Sequence, residues 1–258
     1  MNRYTLAFLR FLRLICIFFP AFSFGQYTVD TIKGESPYNK EFSFIFPHLK
    51  STSDQTTADA INSDLVKAVL NMEYGTQKYS IFEKIWGTKE LDLPNVSNIS
   101  YKVINNDADF FCLRISATSC SDVCNDWTRY YIYDSRSGRK VTMNDLLTGA
   151  GLSMVSDSAY RLFTQRENTY SAQLKDKIAK QPLSPDDKQA YQSAIDAYGK
   201  CSGKNQLWAA PDKQHFNINA DACLFGELHY LDKVDYSCTF DMSGLRDYLT
   251  DYGKSLFK

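Results

Sequence analysis

The spacing of apolar positions changes several times along the chain, and each change marks an element. Glu41-Phe-Ser-Phe-Ile-Phe46 alternates in the two-residue period of a strand, which Pro47 is expected to end. Ala58, Ile61, Leu65, Ala68, Val69 and Met72 then recur at helical spacing. They predict an amphipathic helix over Thr56–Met72, with Asp54, Thr56 or Thr57 able to cap it. Ile99–Ile104 and Phe110–Ile115 read as strands joined by the polar turn Asn105–Asp109. Thr128–Tyr133 is a further strand. The turn Asp134-Ser-Arg-Ser-Gly138 and a strand over Lys140–Met143 follow, and Asn144 or Asp145 can cap a short helix beginning at Leu146.

The middle of the chain is helical. Val155, Ala159, Leu162 and Phe163 form a stripe that Tyr170, Leu174 and Ile178 continue. After Gln181-Pro182, Ser184-Pro185-Asp186-Asp187 starts a second helix with a serine cap, proline in the first turn and acids at the positive end of the dipole. Phe216–Asn219, Cys223–Tyr230 and Val234–Phe240 read as strands, and Ser243 is placed to cap a terminal helix. Grouped helices and antiparallel strands make an α+β fold, with the helices expected on one side of the sheet.

The N-terminus has a different pattern. Arg3, Arg10 and Arg13 precede the apolar run Leu14–Phe22, which ends in Ser23-Phe24-Gly25. This is the order of a secretory signal peptide over residues 1–25, cleaved near Gly25. The run is well short of the roughly 20 residues a membrane-spanning helix needs. No lipid anchor is expected on Cys16, because Arg13-Leu14-Ile15 precedes it in place of small residues. Residues 26–258 are expected to form one domain, secreted or periplasmic, with an extended segment at Gln26–Lys33 and no stable membrane anchor.

Charge narrows the partners. The formal net charge is −1, and removing the leader takes away three arginines and no acids. Phosphate recognition needs a positive field, so no nucleic acid is expected. Export also favours disulfides among Cys112, Cys120, Cys124, Cys201, Cys223 and Cys238. Cys120–Cys124 is the preferred local pair, and few of the six are expected as free thiols. The spacing of Cys120 and Cys124 fits no common structural zinc set. Asn106-Asp107-Ala108-Asp109 lacks the glycine and distal glutamate of an EF-hand. Neither a metal nor a cofactor is expected.

Catalytic signatures are sparse. There is no HExxH, no GxSxG and no phosphate-binding glycine loop. Glu227 and His229, two residues apart, could share one face of a strand as a general acid/base couple or as an ordinary surface pair. Trp127, Tyr131 and Trp208 offer aromatic surface of the kind that exported binding modules use, although core packing explains most such residues in a single sequence. Asn95-Val-Ser97 and Asn98-Ile-Ser100 match the glycosylation tripeptide, which matters only in a eukaryotic secretory pathway.

Three stretches carry a resemblance: Tyr38–Leu65, Tyr130–Leu147 and Phe216–Phe257. The middle one is the most specific, with an aromatic strand, Asp134, a turn, a strand and Asp145-Leu146. Ser137, Arg139 and Leu147 stand where the family tends to have threonine, lysine and phenylalanine. In this order of elements the chain resembles the extracytoplasmic domain shared by RsiV-like anti-sigma factors and PdaC-like deacetylases. The resemblance implies an α+β fold outside the membrane and, by analogy with RsiV, a lysozyme-like protein or peptidoglycan as ligand. Sigma control and deacetylation do not carry over, because the parts that perform them have no counterpart in the sequence. A non-catalytic binding module is therefore expected, with an envelope hydrolase and a structural envelope protein as alternatives.

Overall fold

The computed structural model describes residues 26–86, 95–120, 124–201, 206–224, 228, 231–232 and 234–257. The leader, Glu227 and His229 lie outside the described residues.

A six-stranded sheet runs in simple chain order: β1 (Thr28–Glu35), β2 (Ser43–Lys50), β3 (Asn95–Asn106), β4 (Phe110–Cys120), β5 (Cys124–Asp134) and β6 (Lys140–Val141). All neighbours are antiparallel except β2 and β3, which pair in parallel at Ser43↔Asn98 and Phe44↔Ile99. A parallel pair needs a crossover, and α1 (Gln55–Leu70) lies within it. The expected extended segment at Gln26–Lys33 contributes β1, paired with β2 from Thr28↔Lys50 to Glu35↔Ser43.

Pro47 does not end β2. Beyond Phe44 the strand pairs only with β1, so its other edge needs no ladder donor from Pro47. Asn62 of α1 engages that strand instead. It accepts from Leu49 N at 2.8 Å and donates to Leu49 O at 2.9 Å. Asp54 caps the helix, accepting from Thr57 N.

Strand alternation divides the interior into two cores that share the long sheet. Phe111, Leu113, Ile115, Tyr131 and Tyr133 join Ile61 and Leu65 of α1 in one. Phe110, Cys112 and Ile132 enter the other, with the helices α3 (Gly149–Lys180) and α4 (Pro185–Cys201). A three-stranded antiparallel sheet, β7 (Leu207–Pro211), β8 (His215–Ala220) and β9 (Ser237–Asp241), completes this second core. The α+β reading holds, but the helices serve cores on both sides of the long sheet where one side was expected.

Three other expectations are corrected. The short helix α2 (Met143–Leu146) starts before Leu146, because Thr142 and Asp145 form a reciprocal capping box. Cys223 and Leu224 are not in a strand, whereas the short segment Leu207–Pro211 is one. The expected single terminal helix is split into α5 (Met242–Leu245), a 3₁₀ turn at Arg246–Tyr248 and α6 (Asp251–Leu256). Between them Leu249 bridges to Leu147, and Thr250 caps α6 by accepting from Gly253 N. A Cβ on Gly253 would stand 2.4 Å from Leu146 O, so glycine permits this close approach.

The stretch that carries the family resemblance is a structural joint. Asp134 Oδ1 accepts from Arg136 N at 2.8 Å and Ser137 N at 3.2 Å, which holds the turn. Gly138 closes it at φ 69°, a conformation that favours glycine. Arg139 then pairs with Asp145 at 2.8 Å and lies over the Tyr252 ring.

Among the described residues, no helix is long and apolar enough to cross a membrane.

Candidate functional site

Residues 127, 129 and 131 alternate along β5 and project to one side of it. The β6 partner reaches only Ile132 and Tyr133, so the preceding part of β5 pairs on one side, with β4. Trp208 comes to this region from β7, and Arg129 sits between two indoles. Its guanidinium is 4.6 Å from the Trp208 ring centroid and 5.7 Å from that of Trp127. Asp221 fixes it from a third direction, at 2.6 Å.

This Trp–Arg–Trp stack separates two hollows. The larger, about 580 Å³, extends toward Arg114, Asn219, Asp232 and Tyr236. The smaller, about 430 Å³ and open to solvent, is lined also by Ala68 and Val69 of α1 with Tyr131 and Lys140. Both volumes lie in the range of small-molecule sites. Trp127 Nε1 donates to Ser119 Oγ at 2.9 Å, which holds that ring in place. Trp208 Nε1 is buried without a hydrogen-bond partner. Tyr131 is 6% exposed; burial raises its hydroxyl to about 12, and Lys140 Nζ lies 5.1 Å from its ring.

The tertiary structure thus gathers Trp127, Tyr131 and Trp208 around one cleft. Sequence reading missed the arginine between them. The alternation Trp127-x-Arg129-x-Tyr131 was the available signal, but only the fold brings Trp208 and Asp221 to it.

A second polar group borders the larger hollow. Asp232 accepts from Tyr198 Oη at 3.0 Å, Leu224 N at 3.0 Å and Val234 N at 3.1 Å. Behind it stands Glu167 of α3, a carboxyl only 2% exposed. Burial raises its pKa, and the nearby Asp232 charge adds to the effect. The Tyr198 and Tyr236 hydroxyls are pushed far upward by burial and by these carboxylates.

The cysteines form two disulfides, Cys120–Cys124 and Cys201–Cys223. Cys112 and Cys238 are thiols, so four of the six cysteines pair, in line with the expectation of few free thiols and with Cys120–Cys124 as the expected local pair. Cys112 packs in the core beside Phe110 and Ile132 as a small hydrophobe. The Asn106–Asp109 segment is a hairpin turn in which Asp107 Oδ1 accepts from the backbone of Asp109 and Phe110. Its carboxylates pair with Lys213 and Arg136.

No protein-family model matches the chain, and no curated protein does. Solved structures are similar. A DUF3298 family member from Bacteroides fragilis NCTC 9343 aligns with a TM-score of 0.59 at 13% identity, over 90% of this chain and 96% of the other. The chain shares the fold of DUF3298 proteins. A DUF3298 protein from Pseudomonas aeruginosa PAO1 covers the same shares, with a TM-score of 0.50 at 10% identity. Identity this low establishes architecture and leaves ligand and activity to the site itself.

Proposed function

We propose that this chain is an exported binding module of the bacterial cell envelope, whose Trp127–Arg129–Trp208 cleft holds a cell-wall glycan. The observation that carries this reading is the cation held between two indoles with polar side chains around it. Indole faces cover the apolar C–H faces of a sugar ring, while guanidinium, amide and carboxylate groups bond its hydroxyls. Arg114, exposed at the same hollow, adds a cation suited to a carboxylated sugar.

Export is supported by the leader pattern and by the two disulfides. The resemblance to RsiV-like and PdaC-like domains agrees with an extracytoplasmic role, and the DUF3298 structures share the fold.

The test is calorimetric titration of residues 26–258 with muropeptides and with unsubstituted glycan oligomers, followed by Trp127→Ala and Trp208→Ala. Binding that both variants abolish supports the proposal. Binding to lysozyme without any glycan would transfer the module to a protein ligand. Silence toward both classes would remove the binding role.

A further inference from the structure

One edge of β5 has no strand beside it. Asp134 N donates to Arg139 O, and Ile132 pairs with Val141. The even-numbered residues of β5 therefore turn their main-chain groups toward the β6 side, and the odd-numbered ones bond with β4. β6 ends at Val141, where Thr142 enters the capping box of α2. The N–H and C=O groups of Asp126, Thr128 and Tyr130 are left facing outward, along an edge of about 14 Å. Among the described residues no main-chain group bonds to them. Arg129 Nη1 reaches Thr128 O at 3.0 Å, which shows that this carbonyl points away from β4.

This edge opens into the larger hollow. Residues 125–130 all line it, although their side chains alternate between the two faces of the sheet, so the hollow lies against the strand edge itself. The two ends of the edge carry opposite charge. Asp126 stands at one end, exposed, with Thr118 Oγ1 donating to its carboxylate at 2.6 Å. Arg114, also exposed, stands at the other end, opposite Tyr130 in the β4–β5 register. The remaining charges of the hollow are largely balanced: Arg129 pairs with Asp221 and Arg166 with Asp235, while Asp232 adds a further carboxylate.

We infer that the free edge of β5 takes the peptide of a peptide-bearing cell-wall glycan, laid as an extended segment beside Asp126, Thr128 and Tyr130. The inference rests on the glycan reading of the cleft and names the other half of its ligand. The outward N–H and C=O groups bond the peptide main chain, as in strand addition to a sheet edge. Asp126 meets an amine of the peptide and Arg114 its terminal carboxylate. The edge has room for only about five residues, which suits a short peptide joined to a sugar better than a long strand of a protein. Trp127, Arg129 and Trp208 border the same hollow, so one ligand reaches both the stack and the edge.

Calorimetric titration of residues 26–258 with a disaccharide-peptide, and with the same disaccharide after its peptide is cleaved off, tests this. The peptide-bearing form should bind at least about tenfold more tightly. Thr128→Pro removes an outward N–H without touching the β4 ladder and should bring that ratio close to one. Ser116→Ala removes the partner of the Thr128 hydroxyl, at 3.1 Å, but leaves the edge as it is and should keep the ratio. Asp126→Asn and Arg114→Gln alter the end charges and should each lower the ratio at least about threefold, which tests the site even where the proline variant does not fold. Equal affinity for the two forms overturns the inference and leaves the glycan reading standing. A preference for the peptide that survives Thr128→Pro, Asp126→Asn and Arg114→Gln alike overturns it as well, because the peptide then binds elsewhere. No binding of either form removes the inference and the glycan reading together.

Discussion

The Tyr252 hydroxyl donates to Asp134 Oδ2 at 2.8 Å, joining residues 118 positions apart. Asp134 is buried, which pushes its carboxyl up, but the bonds from Tyr252, Arg136 and Ser137 outweigh burial and hold it below its ordinary value. Tyr252→Phe should cost about 1 kcal/mol of stability and Asp134→Ala about 1–3 kcal/mol, measured by urea unfolding. A folded-state pKa below the unfolded one gives stability that is present above pH 3.8 and lost as pH falls through the lowered value. Asp134→Asn should therefore flatten the acid limb of the Tm profile.

Glu167 has the opposite sign. Its folded pKa is raised, so its stabilising effect is full below the ordinary value of 4.5 and is lost as pH rises through the folded value. Glu167→Gln cannot ionise and should remove this decline in Tm with rising pH. An unchanged slope would show that the carboxyl ionises equally easily in both states.

Asn62 serves two backbone groups of Leu49 with one amide. Asn62→Ala leaves a buried N–H and C=O unpaired and should cost about 1–3 kcal/mol in urea unfolding. Asn62→Asp keeps the acceptor but loses the donor, so it should also destabilise the protein.

Arg129 organises the cleft. Arg129→Ala removes the cation between Trp127 and Trp208 and leaves Asp221 without that ion pair. Tryptophan emission should shift, and glycan affinity should fall about tenfold, equivalent to about 1.4 kcal/mol. Arg129→Lys keeps the charge without the planar stack and should restore affinity only in part.

Thiol titration of residues 26–258, denatured without reductant, should give the two thiols of Cys112 and Cys238. In the folded protein both should react slowly. Burial raises the Cys112 thiol strongly and the Cys238 thiol to about 11, so little thiolate is present at neutral pH.

Local signals in the sequence were strong where one element's own period decided the outcome. The α1 stripe, the Ser184-Pro185 helix start and the Asn105–Asp109 hairpin are all visible there. Boundaries set by distant partners were not. Pro47 lies inside a strand because β3 leaves that edge of β2 unpaired, and the terminal helix breaks where Leu249 bridges to Leu147. For the site, composition indicated Trp127, Tyr131 and Trp208 but supplied no geometry. Glu227 and His229 lie outside the described residues, so the acid/base reading of that pair gains no structural support.

By itself the sequence determined the leader pattern, the near-neutral charge, the α+β class and most helices, since each depends on residues a few positions apart. Only the tertiary structure decided which indoles flank Arg129, that Cys201 pairs with Cys223 and which carboxyl is buried behind them. Those outcomes depend on contacts between segments far apart in the chain, such as β5 with β7 and α3 with the segment after β8. Their free energies come from burial and pairing that exist only once the two cores have closed on the shared sheet.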